Sequence, residues 1–167
     1  QPKSGSMSPP RQVVPGRTYL VTRRCTQRQF LLRPDKETNN AFVYCLAIAA
    51  QRTGIRIIAI VASTNHHHVV LVDSDGRLPE FLEYFHKFLA KHQNVLRRRW
   101  ENFWSSEHTS VVELVDQNDV LSKTVYVLAN PVKDHLVEKA RHWPGASSLS
   151  STTTEKVLIA TRPRHFF

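Results

Sequence analysis

The chain has 167 residues, room for one domain with a sizeable core and little for a second. No stretch approaches the roughly 20 apolar residues of a membrane span, so no membrane partner is expected. With 23 Lys and Arg against 14 Asp and Glu the formal net charge is +9, which favours polyanionic partners, nucleic acid first, because each neutralised phosphate releases counterions. Cys25 and Cys45 form no CxxC pair; that argues against a disulfide scaffold and a cysteine zinc site and fits a reducing cytoplasm.

Residues 1–15, polar and rich in Ser and Pro, read as a flexible leader, with a GSM at 5–7 that has the look of a cloning scar. RTYLVTRRC (17–25) alternates as a strand, Tyr19 and Val21 on one face, Leu20 and Thr22 on the other. A short apolar stretch, QFLL (29–32), follows. Over 34–54 Phe42, Cys45, Leu46, Ala49 and Ala50 recur at helical spacing, and Gly54 stands where a helix-ending glycine belongs. IRIIAIVAS (55–63) is a nearly continuous β-branched run, the pattern of a central strand, and HHHVVLVD (66–73) is a second, closed by a DSDG turn.

The longest helical pattern covers 78–100, with Phe81, Phe85, Phe88, Leu89, His92, Val95 and Leu96 as its apolar stripe. SVVELV (110–115) reads as a strand, and 119–130 as a helix whose core positions are Val120, Leu121, Val125 and Leu128. Pro131 opens a further segment, since proline suits a first helical turn. After Trp143 the composition is that of a linker, and the end lacks a clear cap, as a fragment of a longer protein would. The expected organisation is a domain over 16–145 followed by a Ser/Thr-rich linker and tail over 146–167. The expected fold class is α+β, a single central, mostly antiparallel sheet with helices packed on it.

Candidate chemistry begins at NHHHVVLV (65–72). Side chains alternate along a strand, so His66 and His68 share a face and His67 takes the other. Two imidazoles at i and i+2 reach one metal ion if another element supplies a third ligand; the same stretch is equally compatible with a buried, hydrogen-bonded histidine and surface neighbours. A histidine-triad hydrolase needs a further histidine where Val70 stands, and HExxH, GxxxxGK and GxGxxG are all missing. Downstream, Tyr126 and Asn130 lie four apart and share a helical face. A tyrosine there can attack a phosphodiester while Asn130 offers an amide oxygen to a metal. Against this, Tyr126 can equally be core, and an asparagine before proline is a common helix stop.

These residues carry a family resemblance. NHHHVVLV resembles the HUH motif (His, usually hydrophobic, His), and YVLANPVKDHLV (126–137) resembles the tyrosine-plus-NPV segment of REP-associated tyrosine transposases, a branch of the single-tyrosine, IS200-like HUH transposases. The resemblance runs from about Arg17 to Trp143, with WPGASS after it. Two departures stand out: His67 replaces the usual apolar residue, and Ser63-Thr64 stand where the family often has Met-Pro or Met-Ser.

The resemblance implies a ferredoxin-like HUH endonuclease fold and a bacterial, cytoplasmic, nucleoid-associated protein, a monomer rather than a dimer. It implies that His66, His68 and Asn130 bind Mg²⁺ or Mn²⁺ and that Tyr126 cleaves and transfers single-stranded DNA near a hairpin through a 5′-phosphotyrosine. Arg23, Arg24, Arg97, Arg98, Arg99 and Lys123 are candidate phosphate contacts, and Trp100, Phe103 and Trp104 candidate stacking surfaces for unpaired bases. Two other readings remain open here: a hairpin-binding protein of the same fold without cleavage, and a metal-dependent hydrolase using water.

Overall fold

A computed structural model describes residues 13–166, so most of the expected leader lies outside the described residues. Four strands, β1 (Arg17–Arg24), β2 (Ile55–Ala62), β3 (His66–Asp73) and β4 (Ser110–Leu114), form one sheet in the order β2-β3-β1-β4 with every neighbouring pair antiparallel. With α1 (Lys36–Thr53) between β1 and β2 and α2 (Leu78–Leu96) between β3 and β4, this is the ferredoxin-like βαββαβ arrangement expected from the sequence. A third helix, α3 (Gln117–Lys133), follows β4. Among the described residues no helix is long and apolar enough to cross a membrane.

The sheet is covered on both faces. Tyr19, Val21, Val69 and Leu71 meet Phe42, Cys45 and Ala49 of α1 and Phe81, Phe85 and Leu89 of α2 in the larger core. Leu20, Ala59, Val61, Val70 and Leu114 meet Val127 of α3 in a smaller one. A bulge between Ile57 and Ala59 inserts one residue opposite β3, so the alternation of β2 changes phase along its length. The helices begin and end as their flanking residues dictate. Asp35 and Asp116 accept from the backbone N–H of Thr38 (2.6 Å) and Asp119 (2.8 Å), and Gly54 closes α1 in the left-handed region at φ 71°.

Four expectations are corrected. Pro131 does not open a new segment; it lies inside the last turn of α3, where the one lost hydrogen bond is tolerated, and the Asn130 carbonyl is still met by the N–H of Asp134 at 3.0 Å. The buried face of α3 is Val127, Leu128, Asn130 and Pro131, while Leu121 and Val125 are exposed, because the helix meets the sheet mainly through its C-terminal half. α2 stops at Leu96, Val95 is exposed, and the chain turns outward with Arg98 at φ 54°.

The last correction concerns the Ser-rich stretch after Trp143, which is no free linker. Ala146 O accepts from Ala62 N–H (2.9 Å), Ser148 N–H donates to Ile60 O (3.1 Å), and Ser148 Oγ accepts from Ile60 N–H (2.9 Å). The segment thus closes part of the open edge of β2 and leads into a short helix, α4 (Leu149–Thr154). Ser148→Ala would strip a buried N–H of its partner. Urea denaturation of that variant should show a loss of about 1–3 kcal/mol, where a detached linker would show none.

Candidate active site

His66, His67 and His68 are all buried, and the alternation of β3 sends them to different cores. His67 enters the α1/α2 side, within 5.6 Å of the Phe42 ring and 5.3 Å of Phe85, edge-on to Trp104, with its Nε2 2.9 Å from His86 Nε2. It thus does the packing of an apolar residue, with one polar tie to α2. Burial first, then the neighbouring His86, drives its pKa well below the ordinary value.

His66 and His68 face α3, their ring centroids 4.9 Å apart. His66 Nε2 lies 3.1 Å from Asn130 Oδ1 and 3.8 Å from an Asp134 carboxylate oxygen. The Tyr126 ring stands edge-on to His68 at 5.5 Å, with the Lys133 ammonium 4.4 Å and the Lys123 ammonium 5.6 Å from its centroid. The expected quartet His66, His68, Tyr126 and Asn130 therefore meets between β3 and α3. Because α3 continues through Pro131, Lys123, Tyr126, Asn130, Lys133 and Asp134 all recur at steps of three and four. Lys133 and Asp134 escaped sequence reasoning because a break at Pro131 hid that continuation.

The protonation pattern follows from the hydrogen bonds. Asn65 Nδ2 donates to Arg28 O (3.2 Å), so its Oδ1 is the atom facing His66 Nδ1 at 2.8 Å, and Nδ1 must carry the proton. His66 Nε2 is then a bare lone pair facing the side-chain amide of Asn130, whose Oδ1 lies 3.1 Å away. His68 Nδ1 meets Thr22 Oγ1 at 2.7 Å, and its Nε2 is buried without a hydrogen-bond partner. Burial lowers the pKa of both rings, for His68 to about 3, with Arg24 adding to the effect in each case and Asp134 and Asn130 opposing it at His66.

Burial therefore favours the neutral form of both rings, which leaves each a nitrogen lone pair for a ligand. The 3.1 Å separation of His66 Nε2 and Asn130 Oδ1 is close to the roughly 3 Å between adjacent ligands of a small octahedral ion. Among the described residues no three His, Cys, Asp or Glu side chains gather into a metal-binding group, so an ion here depends on the Asn130 oxygen. An orphaned imidazole nitrogen and a facing pair of acceptors fit such an ion.

The candidate DNA contacts separate into free and engaged side chains. Arg24 is exposed, and its register with His66 puts it on the histidine-pair face. Lys123 lies beside Tyr126, and Arg98 and Trp100 are fully outside, Trp100 at 96% exposure. Arg97 instead ties a loop to α1, with Leu31 O (3.0 Å), Asp35 (3.1 Å) and Thr38 Oγ1 (3.0 Å) as partners. Arg23 bonds Thr109 Oγ1 at 2.5 Å, Arg99 reaches Asn102 O at 3.5 Å, and Trp104 donates to His86 O (2.9 Å) beside the buried Phe103.

Comparison with known proteins gives the class of fold. No family model and no curated sequence matches the chain. A solved REP-associated tyrosine transposase bound to a REP hairpin superposes with a TM-score of 0.71 at 16% identity, covering 96% of this chain and 97% of that one. A candidate transposase from Deinococcus radiodurans R1 gives a TM-score of 0.50, also at 16% identity, over 72% of this chain and 95% of that one. The chain has the fold of a REP-associated tyrosine transposase, as its motifs suggested.

His86 offers a test of the packing behind β3. It is buried, with a pKa lowered to about 3 by burial first and Arg23 second, so it stays neutral in the fold but protonates in the unfolded chain near pH 6.5. Its contribution is complete above about pH 6.5 and is lost progressively as the pH falls towards 3. His86→Gln should flatten the acid side of the stability profile by up to about 1.4 kcal/mol per pH unit, read by denaturation between pH 6.5 and 4. Profiles of equal slope would contradict this.

Proposed function

We propose that the chain is a metal-dependent endonuclease and strand transferase for single-stranded DNA, acting next to hairpins as the transposase of similar fold binds one. The observation that carries the proposal is the meeting of β3 and α3 at these side chains: His66 Nε2 lies 3.1 Å from Asn130 Oδ1, the Tyr126 ring stands edge-on to His68, and His68 Nε2 is left without a hydrogen-bond partner.

In this reading the Tyr126 phenol loses its proton and its oxygen attacks the scissile phosphorus. A P–O bond forms to tyrosine, the P–O3′ bond breaks, and the leaving oxygen takes up a proton as a free 3′-hydroxyl. The product is a 5′-phosphotyrosine, which a 3′-hydroxyl can attack in reverse to rejoin strands without an external energy source. His66, His68 and Asn130 would hold Mg²⁺ or Mn²⁺, which supplies positive charge to the non-bridging phosphate oxygens. Lys133 and Lys123 flank the phenol with cations for the same phosphate, and Arg24 extends the positive face along β1.

Incubation with hairpin-bearing single-stranded DNA and Mn²⁺ should give a protein–DNA adduct that survives denaturation. Tyr126→Phe should abolish it and His68→Ala should reduce it by at least about 100-fold. An adduct that persists in Tyr126→Phe would remove that tyrosine from the chemistry. Cleavage without adduct would point to water as the nucleophile, and binding without cleavage to a hairpin-binding protein.

A further inference from the structure

The last turn of α3 places an acid where a helix disfavours one, and beside the histidine pair. Asp134 is the residue at which α3 ends: its backbone N–H bonds to Asn130 O at 3.0 Å, and the chain then turns at His135, φ 57°. The N–H groups of His135 and Leu136 close that turn on Val132 O (3.0 Å) and Pro131 O (2.9 Å). The carbonyl end of a helix carries partial negative charge, so a cation is favoured there and a carboxylate is not. Lys133, the basic residue of the same turn, stands over the Tyr126 ring at 4.4 Å instead.

The fold gives this carboxylate little in return. Among the described residues its one ion-pair contact is His66 Nε2 at 3.8 Å, and burial lowers the pKa of that ring, with Asp134 offsetting the effect only in part. A separation of 3.8 Å is also beyond a hydrogen bond. The proton of His66 Nδ1 is committed to Asn65 Oδ1 (2.8 Å), which leaves Nε2 as a lone pair. Asn130 and Asp134, one helical turn apart, therefore each bring an oxygen near the same imidazole nitrogen. The Asp134 side chain is 42% exposed against 9% for His66, so water reaches the acid while the ring is largely shut off from it.

A hydrated divalent ion accounts for the lone pair, the amide oxygen and the wetted acid together. We infer that Asp134 is a positioning residue for that ion: its carboxylate accepts a hydrogen bond from water on a metal held by His66, His68 and Asn130. The inference rests on the metal-dependent reading above and adds to it the negative charge that two neutral imidazoles and an amide lack. Hard ions such as Mg²⁺ and Mn²⁺ favour oxygen and negative charge, and they give up their waters reluctantly. A carboxylate acting through water supplies the charge without displacing those waters, and leaves inner positions open to a phosphate oxygen. Local stability at the helix end is thereby given up for the ligand.

The test reads Mn²⁺ affinity and thermal stability without DNA, so that it stands or falls apart from cleavage. Asp134→Asn should weaken Mn²⁺ binding about tenfold, followed by electron paramagnetic resonance of the free ion. Its melting temperature without metal should equal or exceed that of the wild type, because the carboxylate no longer opposes the helix dipole. Asp134→Glu, which keeps the charge, should recover most of the affinity. A carboxylate that serves only as counter-ion to a protonated His66 gives the opposite sign: without it the ring sheds its proton more easily, and Mn²⁺ binds as well or better. Unchanged or tighter binding by Asp134→Asn therefore overturns the inference, as does a wild type that binds no Mn²⁺. A loss of affinity with a lowered melting temperature overturns it too, since that marks a structural role. If Asp134→Asn weakens Mn²⁺ binding as expected and the wild type forms no adduct with hairpin DNA, the cleavage reading fails and Asp134 keeps its role.

Discussion

In β3 successive side chains must leave opposite faces of the sheet, and in this protein both faces are roofed. α1 and α2 cover one side and α3 the other, so His66, His67 and His68 are all buried although they serve different cores. Everything at the candidate site depends on that constraint. It gives α3 two imidazoles at a spacing set by the strand, and gives α2 a third ring that packs as a hydrophobe would. A slip of one residue in the register between β1 and β3 would exchange the two sets and place a single histidine before Tyr126.

The second layer of the argument is electrostatic. Desolvation keeps the two facing rings neutral, and the hydrogen bond from His66 to Asn65 turns its remaining lone pair toward Asn130. Around these buried rings stand cations, with Lys123 and Lys133 over the tyrosine and the exposed Arg24 on the histidine-pair face. The same net charge that marked the sequence as a polyanion binder is thus unevenly used. Arg97 and Arg23 hold loops to the fold, whereas Arg24, Arg28, Arg33 and Arg98 face outward.

Much of this was legible in the residues, and the exceptions have physical causes. β2 and β3 announce themselves by β-branched runs, α1 by its spacing and Gly54, and the parity of the histidines by strand geometry alone. The buried face of α3 was not readable, because Leu121 and Val125 form as plausible a stripe as Val127 and Leu128, and only the sheet decides between them. The pairing of Ala146 and Ser148 with β2 leaves no mark in a Ser-rich sequence, since it is made mostly by backbone groups. Arg97, Arg98 and Arg99 are identical letters; the end of α2 turns one inward and another to solvent. His67 looked like a departure from a motif and is instead a polar ring fitted into an aromatic core.

The division of the three histidines is tested most directly by metal binding, read as the loss of the free Mn²⁺ signal in electron paramagnetic resonance. The wild type should bind a single Mn²⁺ ion, His68→Ala should lose at least about tenfold in affinity, and His67→Phe, which keeps a ring in the α1/α2 core, should bind as the wild type does. Undiminished binding by His68→Ala, or its loss in a folded His67→Phe, would contradict the two-faced strand on which the account rests.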